Sequence, residues 1–169
     1  MEENTLPEGY KSGYVAMAGK PNVGKSTLIN RLLNQSVAAV SPKAQTTRRN
    51  QLGILTVDKA QIIFVDTPGI HQPHHKLGER MNIEARSAVS DADVILVMFD
   101  LSQPPSDEDR QLSEHLRALD SEAVLILGLN KVDLVPVDDL MNRRQAYIDL
   151  LPEAETLELS ALTGQGLRI

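Results

Sequence analysis

Three short stretches of this chain carry residue types that could handle a phosphorylated nucleotide. The first is GKPNVGKS, residues 19–26, with the spacing Gly-x-x-x-x-Gly-Lys-Ser. Glycines at that spacing let the backbone turn tightly, so that successive N–H groups face inward at phosphate oxygens. Gly19, Lys20, Pro21, Asn22, Val23 and Gly24 form the loop, and Lys25, Ser26 and Thr27 open the segment after it. Lys25 would reach the β- and γ-phosphates, and Ser26 would ligate Mg²⁺ through its hydroxyl. The plainer alternative is a Gly-rich turn that merely joins strand to helix. Apolar residues before the loop and a helical pattern after it favour the phosphate loop.

The second stretch is DTPGI, residues 66–70, which closes the apolar run IIFV. A carboxylate at a strand's carboxyl end, near a phosphate loop, can hold Mg²⁺ directly or through water. Gly69 can give its N–H to a γ-phosphate with no side chain in the way. Read alone, Asp-Thr-Pro-Gly is equally a turn. The residue after such a glycine often holds the attacking water, as a Gln does in Ras-type proteins. Here it is Ile70, which has no polar atom to offer. Either the nucleotide is not hydrolysed, or something else supplies that chemistry.

The third stretch is NKVD, residues 130–133, directly after an apolar run. Guanine presents two donors on one edge, and the Asp133 carboxylate could accept both in a bidentate pair. Adenine would leave the acid unpaired, and sites built on such pairing discriminate by roughly 10⁴–10⁵. Lys131 can lay its stem along the base, and Asn130 can tie neighbouring loops together. In SALTGQG, residues 160–166, the N–H of Ala161 could donate to the guanine carbonyl, with Ser160 and Leu162 beside it. An ordinary Ser- and Gly-rich loop describes that last stretch equally well.

These residues need elements to position them. Residues 1–12 read as a flexible tail, and GYVAMAG, 13–19, as a buried strand. In residues 25–34, Leu28, Ile29, Leu32 and Leu33 share one helical face. Residues 37–49 lack a clear period and contain Pro42, which predicts a loop. QLGILTVD and AQIIFVD flank Lys59 and predict a hairpin. Leu77, Met81, Ala85, Ala88, Val89 and Ala92 recur at helical spacing. Residues 93–100 and 123–130 are continuous apolar runs of strand length. Ser106 and Asp109 form a capping box ahead of Leu112, Leu116 and Leu119, although Asp reaches less well than Glu. Residues 138–150 predict a helix and 156–160 a last strand. Strands alternating with helices, apolar throughout, predict an α/β fold: a mostly parallel sheet covered on both faces, with one antiparallel edge strand.

Composition excludes several classes. The 169 residues suffice for one domain with a proper core, and 41% apolar content suits a globular chain. No apolar run approaches the ~18 residues of a membrane span. The polar, acidic start MEENTLPEGYKSG is not a secretory signal. There are no cysteines, so disulfides, thiolate catalysis and cysteine zinc sites are excluded, which suits the cytoplasm. The net charge of −6 argues against a surface that coats nucleic acid generally.

Together, GKPNVGKST, KAQTTRRNQLGI, DTPGIH, NKVD and SAL resemble a translation-factor-related bacterial GTPase, and most of all the Era family. The QTTR segment discriminates, because related ribosome-assembly and tRNA-modifying GTPases usually carry a different residue before TTR. The resemblance spans about Tyr14 to Gly166. It implies a Ras-like P-loop GTPase domain over residues 13–169, with a six-stranded sheet and five helices. It implies a GTP-hydrolysing switch in small ribosomal subunit assembly and 16S rRNA maturation. GTP or GDP and Mg²⁺ would be its cofactors. A Der-like or tRNA-modification GTPase, or a GTP-binding module that hydrolyses only with a partner, are the alternatives. The resemblance makes the loop around Thr46 and Thr47 the first switch, with Thr47 favoured to close over Mg²⁺ beside Ser26 and Asp66. Lys25, Asn22, Thr47 and Gly69 would carry catalysis. GTPases resembling this one, with Asn at the place of Asn22, include potassium-activated members, so K⁺ is a further cofactor candidate. Era proteins also carry a C-terminal KH domain that binds RNA, and the full-length proteins are candidates for peripheral membrane association. This chain ends at Ile169, soon after the last GTPase motif, which we read as a fragment with only weak RNA binding through Lys43, Arg48 and Arg49. His71, His74 and His75 lie in a Pro-containing loop without a carboxylate at ligand spacing and read as solvent-exposed.

Overall fold

The computed structural model describes residues 9–35, 51–66, 91–119 and 121–167. The expected loop at 37–49, the two switch segments and the expected helix from 77 to 90 fall outside those residues, and at 91 and 92, where the sequence predicts the end of that helix, the chain is not helical.

The order of elements is β1 (Lys11–Ala18), α1 (Lys25–Leu32), β2 (Gln51–Val57), β3 (Ala60–Asp66), β4 (Val94–Asp100), α2 (Asp107–Arg117), β5 (Val124–Asn130), a 3₁₀ turn (Val132–Leu134), α3 (Val137–Ile148) and β6 (Glu155–Glu158). The six strands form one sheet in the order β2-β3-β1-β4-β5-β6. β2 and β3 are antiparallel and pair Val57 with Ala60 across the two-residue Asp58-Lys59 turn, the hairpin the sequence predicts. The remaining pairings are parallel. This is the predicted α/β architecture, with its one antiparallel edge strand.

Most boundaries differ from expectation by a residue or two, and two of the differences have a visible cause. β1 begins at Lys11, inside the stretch read as tail, because Lys11 pairs with Ala60 and its N–H donates 3.0 Å to the Lys59 carbonyl. Lys11 and Ser12 are exposed there, so no apolar pattern announces the strand. α1 ends at Leu32, before the expected Asn34, and Asn34 takes the left-handed conformation with φ 49°. Asn tolerates that conformation better than most residues, and it stops the helix.

The apolar runs are continuous because both faces of the sheet are covered. Side chains alternate along each strand. Ala16, Ala18, Ile95, Val97, Phe99, Leu127 and Leu129 pack with Leu112 and Leu116 of α2 and Tyr147 of α3. Their neighbours Met17, Phe64, Leu96 and Met98 face the other way, onto Leu28 and Ile29 of α1. The Phe99 and Tyr147 rings stack with centroids 5.1 Å apart.

This topology places the site. Parallel register sets Met17 beside Asp66 and Asp100 beside Asn130, so the carboxyl ends of β1, β3, β4 and β5 share one edge. β1 and β4 are neighbours, and the chain leaves β1 toward β2 on one side of the sheet order and β4 toward β5 on the other. A crevice at such a switch point is where open α/β sheets bind ligands.

Tyr147 ties the core cluster of α2 and α3 to this edge. Its buried hydroxyl lies 3.1 Å from the Asp100 carbonyl and 3.2 Å from that of Gln103. Burial pushes the phenol pKa up, and the nearby acids Asp109 and Asp100 push it further, so the group remains a donor. Tyr147→Phe should destabilise the chain by about 1 kcal/mol through the lost hydrogen bond, and Tyr147→Ala by about 3–5 kcal/mol through the cavity. Urea unfolding at unchanged slope measures both, and a Phe variant with the parent's midpoint would contradict the hydrogen-bond assignment.

Candidate nucleotide site

The loop after β1 takes three left-handed turns in six residues: Gly19 at φ 140°, Asn22 at φ 63° and Gly24 at φ 108°. Two of these positions exclude any side chain by contact as well as by φ. A Cβ on Gly19 would lie 2.5 Å from the Met98 carbonyl oxygen, and one on Gly24 would lie 2.1 Å from Asn130 Nδ2. Gly24 is also the N-cap of α1 and offers no capping side chain. The first N–H groups of α1 therefore suit an external anion, aided by the positive end of the helix.

Lys25 opens α1 and is buried. Its Nζ donates to the carbonyls of Gly19 at 3.0 Å and Lys20 at 2.9 Å, so the cation lies folded along the loop. Burial pushes its pKa down to about 8, partly offset by the negative charge of Asp66. Ser26 donates from Oγ to Asp66 Oδ2 at 2.6 Å, joining the start of α1 to the end of β3. A hydroxyl that gives its proton to a carboxylate keeps its lone pairs for a cation. Ser26 and Asp66 thus form a pair of hard oxygen donors of the type Mg²⁺ takes, with the remaining positions for phosphate and water. Among the described residues no cluster of three or more His, Cys, Asp or Glu offers a self-sufficient metal cage. Thr47 and Gly69 lie outside the described residues, as do Thr46, Ile70 and the three loop histidines.

Asn130 ends β5 and is buried. Its Nδ2 donates 2.6 Å to the Val23 carbonyl, and its Oδ1 accepts 2.8 Å from the Ala161 N–H. The expected tie between loops is present. It also corrects one assignment: the Ala161 N–H, expected to face a guanine carbonyl, is held by Asn130. The next N–H, that of Leu162, has no partner among the described residues. Thr163 donates to Ser160 Oγ at 3.1 Å and Gly164 to the Ser160 carbonyl at 2.8 Å. Lys131 is left-handed at φ 65°, and its Nζ sits 2.5 Å from Asp100 Oδ2. Asp133 lies on the 3₁₀ turn with its side chain exposed, open to a base edge.

Three positioning residues escape the motif reading. Asp100, at the end of β4, is pushed up by burial. Hydrogen bonds from Lys131 and Ser102 outweigh that and hold its carboxyl below the usual range. A carboxylate closing an apolar strand is a sequence signal that could have marked it. Asp109 does complete the capping box, accepting from the Ser106 N–H at 2.8 Å, and the same oxygen takes Lys20 Nζ at 2.9 Å. Arg31 of α1 donates from Nε to the Ala161 carbonyl at 2.6 Å and from Nη2 to that of Leu162. Nothing local in the sequence announces the last two contacts.

The sequence pattern of the 50S ribosome-binding GTPase family matches residues 14–131. The chain belongs to that family. Within this GTPase family it is similar to GTPase Era of Rippkaea orientalis, at 48% identity over 95% of the chain and 51% of that protein. Era in complex with MgGDPNP and a segment of 16S ribosomal RNA superposes with a TM-score of 0.82, at 40% identity over 90% of this chain and 52% of that one. A variant of Aquifex aeolicus Era bound to GDP and AlF₄⁻ gives 0.81 at the same identity and the same coverage. The chain spans about half the length of the curated relatives it matches.

The buried Lys25 gives this GTPase domain a specific pH dependence. A folded-state pKa near 8, below the ordinary 10.5, means the folded chain binds fewer protons than the unfolded chain between those values. The penalty for burying the cation is fully present below about pH 8 and is relieved as pH rises toward 10.5. Without nucleotide, the unfolding free energy of the parent should gain on that of Lys25→Met by on the order of 1–3 kcal/mol between pH 8 and 10. Paired urea titrations give the difference, and a constant offset across that range would refute the shift.

Proposed function

We propose that the chain is the nucleotide-binding domain, residues 13–169, of an Era-type molecular switch that binds GTP with Mg²⁺ and hydrolyses it to GDP and phosphate. The observation that carries this reading is the Asn130 side chain. It joins the phosphate loop at Val23 to the loop of Ala161, with Asp133 exposed three residues along. Phosphate donors and a guanine-reading acid are thereby held in one rigid frame.

In this frame Lys25 turns from the loop carbonyls to the β- and γ-phosphates, and the N–H groups of the loop and of early α1 neutralise charge as the bridging bond breaks. Ser26, Asp66 and Thr47 hold Mg²⁺, and Gly69 faces the γ-phosphate. Asp133 pairs with guanine N1–H and the 2-amino group, the stem of Lys131 lies along the base, and the Leu162 N–H faces the 6-carbonyl. Ile70 orients no water, so unaided turnover is slow, on the order of 10⁻⁴–10⁻² s⁻¹. A monovalent cation at the side-chain oxygen of Asn22 is the favoured source of the missing positive charge, and its left-handed backbone sets that side chain at the loop's bend.

The longer protein would act in small-subunit assembly. The family description names the large subunit, whereas the Era complex at 40% identity carries 16S rRNA. That specific likeness outweighs a description shared by a broad family. We place the protein in the cytoplasm. No helix among the described residues is long and apolar enough to cross a membrane.

The chain should bind GDP and GTP tightly and ADP or ATP poorly. Asp133→Asn should lower GDP affinity by about 10²-fold or more and favour XDP, whose 2-carbonyl accepts from the new amide. Calorimetric titration with GDP, ADP and XDP checks this, and equal affinity for GDP and ADP would end the guanine assignment. Potassium should accelerate GTP turnover over sodium at matched ionic strength, and Asn22→Ala should abolish the difference. Identical parent rates in the two salts would move the catalytic charge to a partner.

A further inference from the structure

The guanidinium of Arg31 holds the carbonyls of two successive peptides in the loop after β6. Nε donates 2.6 Å to the Ala161 carbonyl, and Nη2 donates to the Leu162 carbonyl. A Cβ on Gly164 would lie 2.9 Å from Nη1, so the loop closes directly onto the guanidinium. Arg31 is 130 residues from Ala161 in sequence and stands on α1, the helix that opens with Lys25 and Ser26.

A trans peptide is planar, with its carbonyl and N–H pointing in opposite directions. The donor on the Ala161 carbonyl therefore fixes where the Leu162 N–H points, which is away from Arg31. The preceding peptide is fixed too, because Asn130 Oδ1 accepts the Ala161 N–H. Asn130 thus holds one donor of the loop, while Arg31 aims the next, which has no partner among the described residues. An Arg fork suits this task because it presents several donors in a fixed plane. A Lys ammonium is a single rotatable centre.

We propose that Arg31 is a positioning residue for base selectivity: from α1 it orients the Ala161–Leu162 peptide so that the Leu162 N–H meets the 6-carbonyl of guanine. This rests on the guanine-binding reading above. The group aimed is an N–H, and its partner is a ring carbonyl, so the ligand class is a 6-oxopurine nucleotide. Arg31 itself touches neither base nor phosphate.

The experiment compares GDP with the diphosphate of 2-aminopurine riboside, which keeps the 2-amino group and lacks the 6-carbonyl and the N1–H that goes with it, so each variant is read against the parent's own affinity for the same ligand. Binding is measured for the parent, Arg31→Met and Arg31→Lys, with ADP as a control on the parent. If the parent binds GDP no better than ADP, the guanine reading itself fails. If the parent is selective, Arg31→Met should weaken GDP by about tenfold and the 2-aminopurine nucleotide by less than about twofold, and Arg31→Lys should recover part of the loss. Equal weakening of both ligands would show that Arg31 serves only the fold. Unchanged affinity for both would show that the loop holds its own orientation. Either result overturns the proposal while leaving guanine binding intact.

Discussion

A buried carboxamide has to satisfy a donor and an acceptor at once, and the Asn130 side chain does so by bridging two loops far apart in sequence. Nδ2 donates to Val23 and Oδ1 accepts from Ala161. An Asp here would set a carboxylate against the Val23 carbonyl, and an apolar residue would strand both backbone groups, each costing about 1–3 kcal/mol. The same amide occupies the space a side chain at position 24 would need, so the left-handed Gly24 and Asn130 are one constraint viewed from two strands. From there the dependence runs outward. Gly24 starts α1, the start of α1 sets Lys25 and Ser26, and Ser26 meets Asp66 at the end of β3. Parallel register keeps these ends level, so a single amide fixes a site drawn from four strands.

Electrostatics at the loop work at short range. The chain carries a net charge of −6, which does nothing to attract a polyanion from a distance. Screening at physiological salt limits such fields to about 8 Å in any case. Of the two lysines in the phosphate loop, Lys20 is committed to Asp109 and Ser106, which leaves Lys25 as the loop's cation for a ligand. Holding Lys25 on two carbonyls keeps it solvated by the protein while burial depresses its pKa. A phosphate oxygen is a better partner for that ammonium than a carbonyl, because the pair is then charge-assisted on both sides.

The elements that the sequence makes legible are those whose cause is local. The apolar runs of β4 and β5, the Asp58-Lys59 hairpin and the Ser106 capping box each follow from neighbouring residues, and each appears where expected. The start of β1 at Lys11 does not, since exposed polar residues pair there only because β3 lies alongside. At the site, contiguous motifs were readable because a phosphate loop must be built from adjacent residues. Contacts between distant segments were not. Lys20 finds Asp109 across 89 residues. The Ala161 N–H looked available for a base because its competitor, Asn130 Oδ1, comes near only once β5 and β6 are paired. The motif named a peptide N–H of this loop that the fold commits to Asn130, since donor commitments are settled in three dimensions.

The short helix α1 gives these separate contacts a common lever. Lys25 and Ser26 stand in its first turn and Arg31 near its end, six residues on from Lys25, a span of roughly 9 Å along the axis. The helix packs on the sheet through Leu28 and Ile29, between the two functional ends. A helix this short has little freedom to bend between them, so it responds as a rigid body. Any tilt that moves Ser26 relative to Asp66 must also move the guanidinium relative to Ala161. The groups suited to phosphate and metal, and the loop suited to a base, are therefore coupled mechanically through one element as well as through the Asn130 amide. Two independent links between the same loops leave little room for one end of a ligand to be accommodated while the other is not. That is the property a site needs if it is to read the phosphates and the base of one molecule together.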